Sequence, residues 1–206
     1  MNRPTLETQH FLLRSLEDSD IVHMAELIFG DPDIGWRFGL VADTSSPDAV
    51  VGTARHWIEE ANSNWAAGGW GAWAIQPRGS NAIPERPFLG FCGFFDPDPP
   101  IENHELAYGI AKAHWGQGIA TEAATAALAF LFQETEARQA ETVCHPTINL
   151  GSSRVLQKAG MRLRGQIDYC GSVAAGHGLF DHFGIDRADW LNWHASTAPS
   201  SRLLPE

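Results

Sequence analysis

A chain of 206 residues has the size of one domain, long enough to bury a sizeable core and cramped for two. Hydrophobic residues make up 44% and charged residues 19%, a globular composition, and no run approaches the roughly 20 apolar residues of a membrane helix, which argues against a membrane role. With 14 basic and 25 acidic residues the formal charge is −11, a field that repels phosphate backbones, disfavours nucleic acid as a partner and draws in cations.

The opening residues, MNRPTLETQHFLL, lack an uninterrupted apolar block followed by a small-residue cleavage site, so export is not expected. Residues 6–14 alternate apolar and polar as a strand does. SLEDSD then supplies helix-capping side chains ahead of IVHMAELIF. The stretch 31–46, rich in Asp, Gly, Ser and Thr, reads as a loop, and Pro47 and Asp48 open a helix that ends at Gly68 and Gly69. Three strand-like runs follow, 69–76, 88–95 and 104–111, separated by turn residues and read as an antiparallel meander.

From Gly118 the pattern becomes IATEAATAALAFLFQETEA, where Ala and Leu dominate and Gly and Pro vanish, the strongest helix signal in the chain. A short strand at 141–145, a helix over SSRVLQKAG stopped at Gly160, and strands near 161–170 and 179–185 complete the order β-α-α-β-β-β-α-β-α-β-β. The fold class is α/β (α+β), one domain over 1–195 with a central mixed, mostly antiparallel sheet flanked by helices. The Ser- and Pro-bearing stretch 196–206 reads as a tail. Cys92, Cys144 and Cys170 are odd in number and form no C-x-x-C pair, which speaks against a disulfide framework or a zinc knuckle; reduced thiols in a cytoplasm, and no metal, are expected.

The chemistry concentrates at one joint, where the strand HELAYGIA leads through Gly116 and Gly118 into the Ala-rich helix. Glycines let a backbone approach an anion closely, and the first N–H groups of a helix have no partners within it, so such a joint suits a pyrophosphate. No Lys-Ser or Lys-Thr follows, and Thr121 stands where a third glycine would be, which excludes the triphosphate and dinucleotide loop patterns.

At this joint, WGQGIATEA, the chain resembles the GNAT superfamily of N-acetyltransferases, and within it the branch of ribosomal-protein N-terminal (alanine/serine) acetyltransferases. Trp115 stands where the superfamily has Arg or Gln. Three further blocks agree in order: Glu105-Leu106-Ala107-Tyr108 on the preceding strand, Asn149 through Ser152, Val155 and Lys158 to Met161, and Asp181 through Ile185 to Trp190.

The resemblance implies acetyl-CoA as co-substrate and a primary amine, on a protein N-terminus or a small molecule, as acceptor. The backbone of Gln117, Gly118, Ile119, Ala120 and Thr121 would hold the pyrophosphate, Trp115 and Gly116 belong to the same cofactor-binding loop, and Gly109, Ile110 and Ala111 would pair with the pantetheine arm like an added strand. Asn149 and Ser152 match family positions that meet the cofactor arm, and both also suit helix capping. A homodimer is compatible with the family. The other reading is a non-catalytic acyl-CoA-binding regulatory or interaction module.

An amine attacks a thioester only as its free base, and amine pKa values of about 8 and 10.4 mean that a proton must leave. Glu105 matches the family's strand glutamate and is the first choice of base, with His104 and His145 behind it. Glu122, in the first helical turn, reads as complementing the helix dipole. The tyrosine that many members use to protonate the leaving thiolate is replaced by Leu156; Ser152 is a substitute donor, and Tyr169 another if its strand folds back. Five of the eight tryptophans, Trp36, Trp57, Trp65, Trp70 and Trp73, cluster in the half where the family builds its acceptor pocket, chiefly as core residues. The segment Asp31 to Asp48 is a lid over the acceptor or a long surface loop.

Overall fold

Alternation of side chains along each strand sorts the apolar residues of the sheet into two layers, one on each face. The structure, a computed structural model, describes residues 3–38, 46–79, 87–97, 99–147, 149–169 and 178–197. Its strands are β1 (Leu6–Glu7), β2 (Phe11–Ser15), β3 (Ala72–Pro77), β4 (Gly90–Phe95), β5 (His104–Ile110), β6 (Gln139–Cys144), β7 (Arg162–Tyr169) and β8 (Gly178–Asp186). They form one sheet in the order β1-β2-β3-β4-β5-β6-β8-β7, antiparallel throughout except for the parallel β5–β6 pair. The mixed, mostly antiparallel architecture expected from the sequence is the one observed.

The helices are α1 (Ile21–Met24), continuing as a wider turn over Ala25–Phe29, then α2 (Pro47–Gly68), α3 (Ile119–Glu134), α4 (Leu150–Lys158) and α5 (Arg187–Thr197). Trp73, Ile75, Cys92, Phe94, Leu106 and Ile110 face α3 and the helices beyond it. Their sequence neighbours Ala72, Ala74, Phe91 and Phe95 face α1 and α2. Helix α3 sends Ile119, Ala123, Ala127, Leu128 and Leu131 into the first layer, the 3.6-residue stripe its composition foreshadows. At the other end of the chain's first helix, Arg14 and Asp20 form a buried two-bond ion pair, 2.7 Å at each contact. Gln76 accepts from the Arg14 Nε at 3.0 Å, so the guanidinium is satisfied on both sides.

Three departures from the sequence reading have local causes. The strand expected over 6–14 is two short strands, because Thr8 turns the chain: its N–H donates to the Phe11 carbonyl at 2.9 Å, its hydroxyl accepts from the Phe11 N–H at 3.0 Å, and Leu6 folds back opposite Leu13. Helix α4 begins at Leu150, earlier than SSRVLQKAG suggests, with Asn149 at its cap position. Helix α5 has no counterpart in the expected order. It leaves β8 without an intervening turn, the Arg187 N–H bonding the Arg138 carbonyl at 2.9 Å, and buries Trp190 to 1% exposure. The domain limit expected at 195 falls inside α5; residues 198–206 of the expected tail, like Cys170, lie outside the described residues.

Candidate active site

The cleft begins where two strands part. Strand β5 is paired with β4 along its whole length, from Phe95↔Glu105 to Gly90↔Ile110. With β6 it is paired only at His104↔Ala140 and Glu105↔Glu141. Beyond Glu105 the two strands diverge, and the backbone of Leu106–Ile110 faces an open cavity of about 1270 Å³ instead of a neighbour. Glu141 closes the apex of this opening. Its carboxylate accepts from Asn103 Nδ2 at 3.2 Å and lies 3.5 Å from Arg164 and 3.4 Å from His182, so its charge is matched within the sheet.

The cavity runs from the apex to the glycine turn. Gly116 and Gly118 have φ of +77° and +80°, in the left-handed region that side-chain-bearing residues avoid, and a Cβ at either would meet nothing within 4 Å. Backbone conformation, not crowding, therefore requires glycine at both. Gly118 caps α3 with no side-chain hydrogen bond, which leaves the first-turn N–H groups of Ile119, Ala120 and Thr121 pointing out of the helix end. The indole of Trp115 donates to the Ile110 carbonyl at 2.7 Å, pinning the turn to the end of β5. Trp at this position thus does structural work that its chemistry alone did not announce.

Of the residues singled out in the sequence, Glu105, Gly109, Ile110, Trp115, Gly116, Gly118, Ile119, Ala120, Thr121, Asn149 and Ser152 all border this one cavity. Two do not. The N–H of Ala111 bonds the Leu89 carbonyl at 2.9 Å on the β4 side and its methyl is buried in the α1–α2 layer, while Gln117 turns its amide back to the Ala113 carbonyl at 3.5 Å. Asn149 makes no capping hydrogen bond from its side chain, so capping does not account for it.

The acid–base candidates separate by position. His145 follows β6 and borders the cavity, its ring edge-on to Phe180 at 5.5 Å. His104 is instead turned to the opposite layer, 4.7 Å from the Trp70 ring, and borders a shallow second cavity with Arg138; burial pushes its imidazole below the ordinary value. Glu122, more than a dipole partner, accepts from the His10 N–H at 2.8 Å and faces its ring nitrogen at 2.9 Å, tying the Thr8 turn to α3. Burial alone would raise the Glu122 carboxyl, but hydrogen bonds from Thr8 and His10 together hold it below its ordinary value.

Leu156 is fully buried on the cavity wall, and Tyr169, at the end of β7, does fold back to border the same space. Sequence reasoning passed over Tyr108. Its hydroxyl donates to the Ser152 carbonyl at 3.2 Å, joining β5 to the first turn of α4, and burial pushes its phenol well above the ordinary value. The signal was in the quoted block Glu105-Leu106-Ala107-Tyr108, where only the glutamate was weighed. Trp57 borders the cavity, whereas Trp65 and Trp73 meet edge to face in the core, 4.9 Å between ring centres. The side chains of Trp36 and Arg37, and residues 39–45 of the expected lid, lie outside the described residues.

The acetyltransferase (GNAT) domain family matches residues 10–162, most of the chain. The chain belongs to the GNAT acetyltransferases. A Bacillus subtilis relative, YkkB, is 32% identical over 165 residues, covering 78% of this chain and 87% of its own. An N-acetyltransferase of Bacillus licheniformis, p20, is 26% identical over 163 residues, covering 76% and 84%. Among solved structures, Mycobacterium smegmatis RimJ in complex with CoA-disulfide superposes with a TM-score of 0.71 at 16% identity, over 95% of this chain and 98% of that one. In this GNAT chain β7 after its first residue, all of β8, and α5 lie beyond the matched family segment, yet β8 supplies the strand that flanks β6 and Phe180 on the cavity wall. No helix among the described residues is long and apolar enough to cross a membrane, and they contain no cluster of His, Cys, Asp and Glu able to hold a metal.

Proposed function

We propose that this chain moves the acetyl group of acetyl-CoA to a primary amine by direct attack within a ternary complex. The observation that carries the reading is β5, bonded on both edges at its start, on one edge thereafter, and running into a two-glycine turn and an uncapped helix. An extended, amide-bearing arm adds to such an edge as a strand would, with Gly109 and Ile110 as its partners. The diphosphate at the end of that arm then meets the N–H groups of Gln117 through Thr121. Asn149 borders the cavity and its side chain does not cap α4, which supports its bonding the arm in this reading.

Glu105, at the apex, is the base: it takes a proton from the amine directly or through one water, and the neutral nitrogen attacks the thioester carbonyl carbon. The C–N bond forms, the C–S bond breaks, and the nitrogen's surplus proton passes to the Glu105 carboxylate, which has by then released the first proton to water. The departing thiolate, of pKa about 8.5, takes up a proton that water supplies, relayed through the Ser152 hydroxyl, which gains one proton as it passes one on, with the Tyr108 phenol, pushed up by burial, beside it. Glu141 cannot substitute for Glu105, because Asn103, Arg164 and His182 already occupy its oxygens.

Free-thiol release from acetyl-CoA across a panel of primary amines tests this. Glu105→Gln lowers turnover by about 10²–10⁴, the usual worth of a positioned base, while calorimetry shows acetyl-CoA bound as before. Wild-type turnover in that variant removes Glu105 from the mechanism. Binding of acetyl-CoA by the natural chain with no thiol released from any amine would favour the non-catalytic module.

A further inference from the structure

Past Glu105, strand β5 presents small side chains to one face of the sheet, and the cavity lies over them. Phe95 is the direct cross-strand partner of Glu105, so both side chains leave the sheet on the α1–α2 face, and Ala107 and Gly109 follow on that face. A Cβ at Gly109 would come within 2.8 Å of Ile28 and Phe91 and 3.2 Å of Phe38, so this end of the row is already filled. Ala107 is half-buried and borders the cavity, which leaves an open floor between Glu105 and Phe38. Beside that floor the Trp57 ring is held by Phe95 at 4.6 Å, Phe38 at 5.3 Å and Phe91 at 5.6 Å. Trp57 and Phe38 are themselves only half-buried, and both border the cavity. The Glu60 carboxylate, one turn along α2, is engaged with the sheet, its Oε1 accepting the Asp96 N–H at 3.2 Å.

Gly52 is an independent observation on the same limb. It stands inside α2, where glycine weakens a helix, and it borders the cavity. Its backbone is not left-handed and a Cβ there would meet nothing within 4 Å, so neither conformation nor crowding calls for glycine. What the missing side chain leaves is room on the cavity border. A slot floored by a methyl group, walled by fixed rings and ending at a carboxylate is a complement for a flat apolar group carried on an amine. We propose that the slot takes an aromatic ring of the acceptor, and that the acceptor has an arylethylamine skeleton, with two carbons joining the ring to the nitrogen delivered to Glu105. The carboxylate and the aromatic wall start one cross-strand step apart, about 5 Å, so a two-carbon link sets the ring against the wall while the nitrogen stays at Glu105. The receiving rings are already packed on one another, and little is lost in ordering them. This skeleton occurs in free arylethylamines and in a peptide with amino-terminal Phe, and the acidic excess of the chain attracts either one as a cation. The proposal rests on the acetyl-transfer reading and narrows its acceptor.

The test is the ratio of kcat/KM for a ring-bearing amine to that for its ringless counterpart: phenethylamine against ethylamine, and a peptide with amino-terminal Phe against the same peptide with amino-terminal Ala. It is read as thiol release with saturating acetyl-CoA and expressed per free base, so that the differing amine pKa values cancel. In the natural chain at least one pair gives a ratio of about tenfold or more, the usual worth of burying such a ring, and the pair that does so identifies the source of the ring. In Gly52→Leu, which adds bulk with neither clash nor backbone strain, and in Trp57→Leu, which removes the indole wall, that ratio falls toward unity, through KM for the ring-bearing amine. A third readout needs no turnover: calorimetry of the ring-bearing amine on the Glu105→Gln protein holding CoA, where Gly52→Leu added to that background weakens binding by a similar factor. Ratios near unity in both pairs, or a ratio undiminished in both variants, would overturn the slot while leaving acetyl transfer intact. Absence of acetyl-CoA binding in the natural chain would overturn both.

Discussion

Gly118 concentrates the argument at the glycine turn into one substitution series. Its φ of +80° lies in the left-handed region, and a Cβ built there touches nothing within 4 Å. Replacement by Ala therefore introduces no clash with neighbours, and its whole effect is the left-handed cost of an L-residue, about 1–2 kcal/mol. For a domain of this size that is a fall in Tm of roughly 2–8 °C if the turn keeps its shape. Should the turn relax instead, the cost moves to ligand binding and weakens acetyl-CoA by a factor of about 5–30. Asn, which tolerates this conformation, should lose less than Ala on the combined scale, and β-branched Val should lose most. Thermal denaturation and calorimetry with acetyl-CoA on the Asn, Ala and Val variants measure both halves. An Ala variant that matches glycine in Tm and in affinity together would refute the reasoning, since the strain would then have gone nowhere.

Trp115→Phe keeps the apolar ring but deletes the donor to the Ile110 carbonyl, so acetyl-CoA affinity should fall several-fold with little loss of Tm, the side chain being 45% exposed; calorimetry beside a melting curve decides it. Glu122→Gln tests the tie to Thr8 and His10 by pH. Because the folded carboxyl is held below its ordinary value, its stabilising contribution is present above the unfolded pKa and is lost as pH falls through the folded one. The Tm gap between the natural chain and Glu122→Gln should accordingly be widest near neutrality and shrink in acid, and a gap that widens in acid would reverse the assignment. Asp20→Ala strands the buried Arg14 guanidinium and should cost about 3–5 kcal/mol in denaturant unfolding, far beyond a surface ion pair; a loss under 1 kcal/mol would contradict the burial of that pair.

Much of the fold was legible because its signals are local. An Ala- and Leu-rich run without Gly or Pro can be little else than α3, and paired glycines ahead of it mark a helix start whatever the tertiary structure. Helix α5 was not legible, since it follows β8 with no turn residue and carries its apolar contact mainly on Trp190 and Trp193. The Thr8 turn depends on a side chain that looks like an ordinary strand threonine.

At the site, the glycine turn and Glu105 announce themselves by residue type and motif. The parting of β5 from β6 has no one-residue signature, because it is a property of a pair of strands 30-odd positions apart in sequence. The same holds for Glu122 and His10, 112 positions apart, for the indole bond that explains Trp115, and for Glu60 and Asp96, which meet only when α2 packs across the end of β4. His104 and His145 are indistinguishable as letters, and the strand pleat alone sends one away from the cavity.

The central claim is that the open edge of β5 and the uncapped start of α3 together grip acetyl-CoA through main-chain groups. Hydrogen–deuterium exchange of the natural chain, with and without saturating acetyl-CoA, measures those groups directly. Exchange should slow at the β5 amides past Glu105 and at residues 116–121 while β2 and β3 stay unchanged. Identical exchange at both segments under saturating acetyl-CoA would contradict the account.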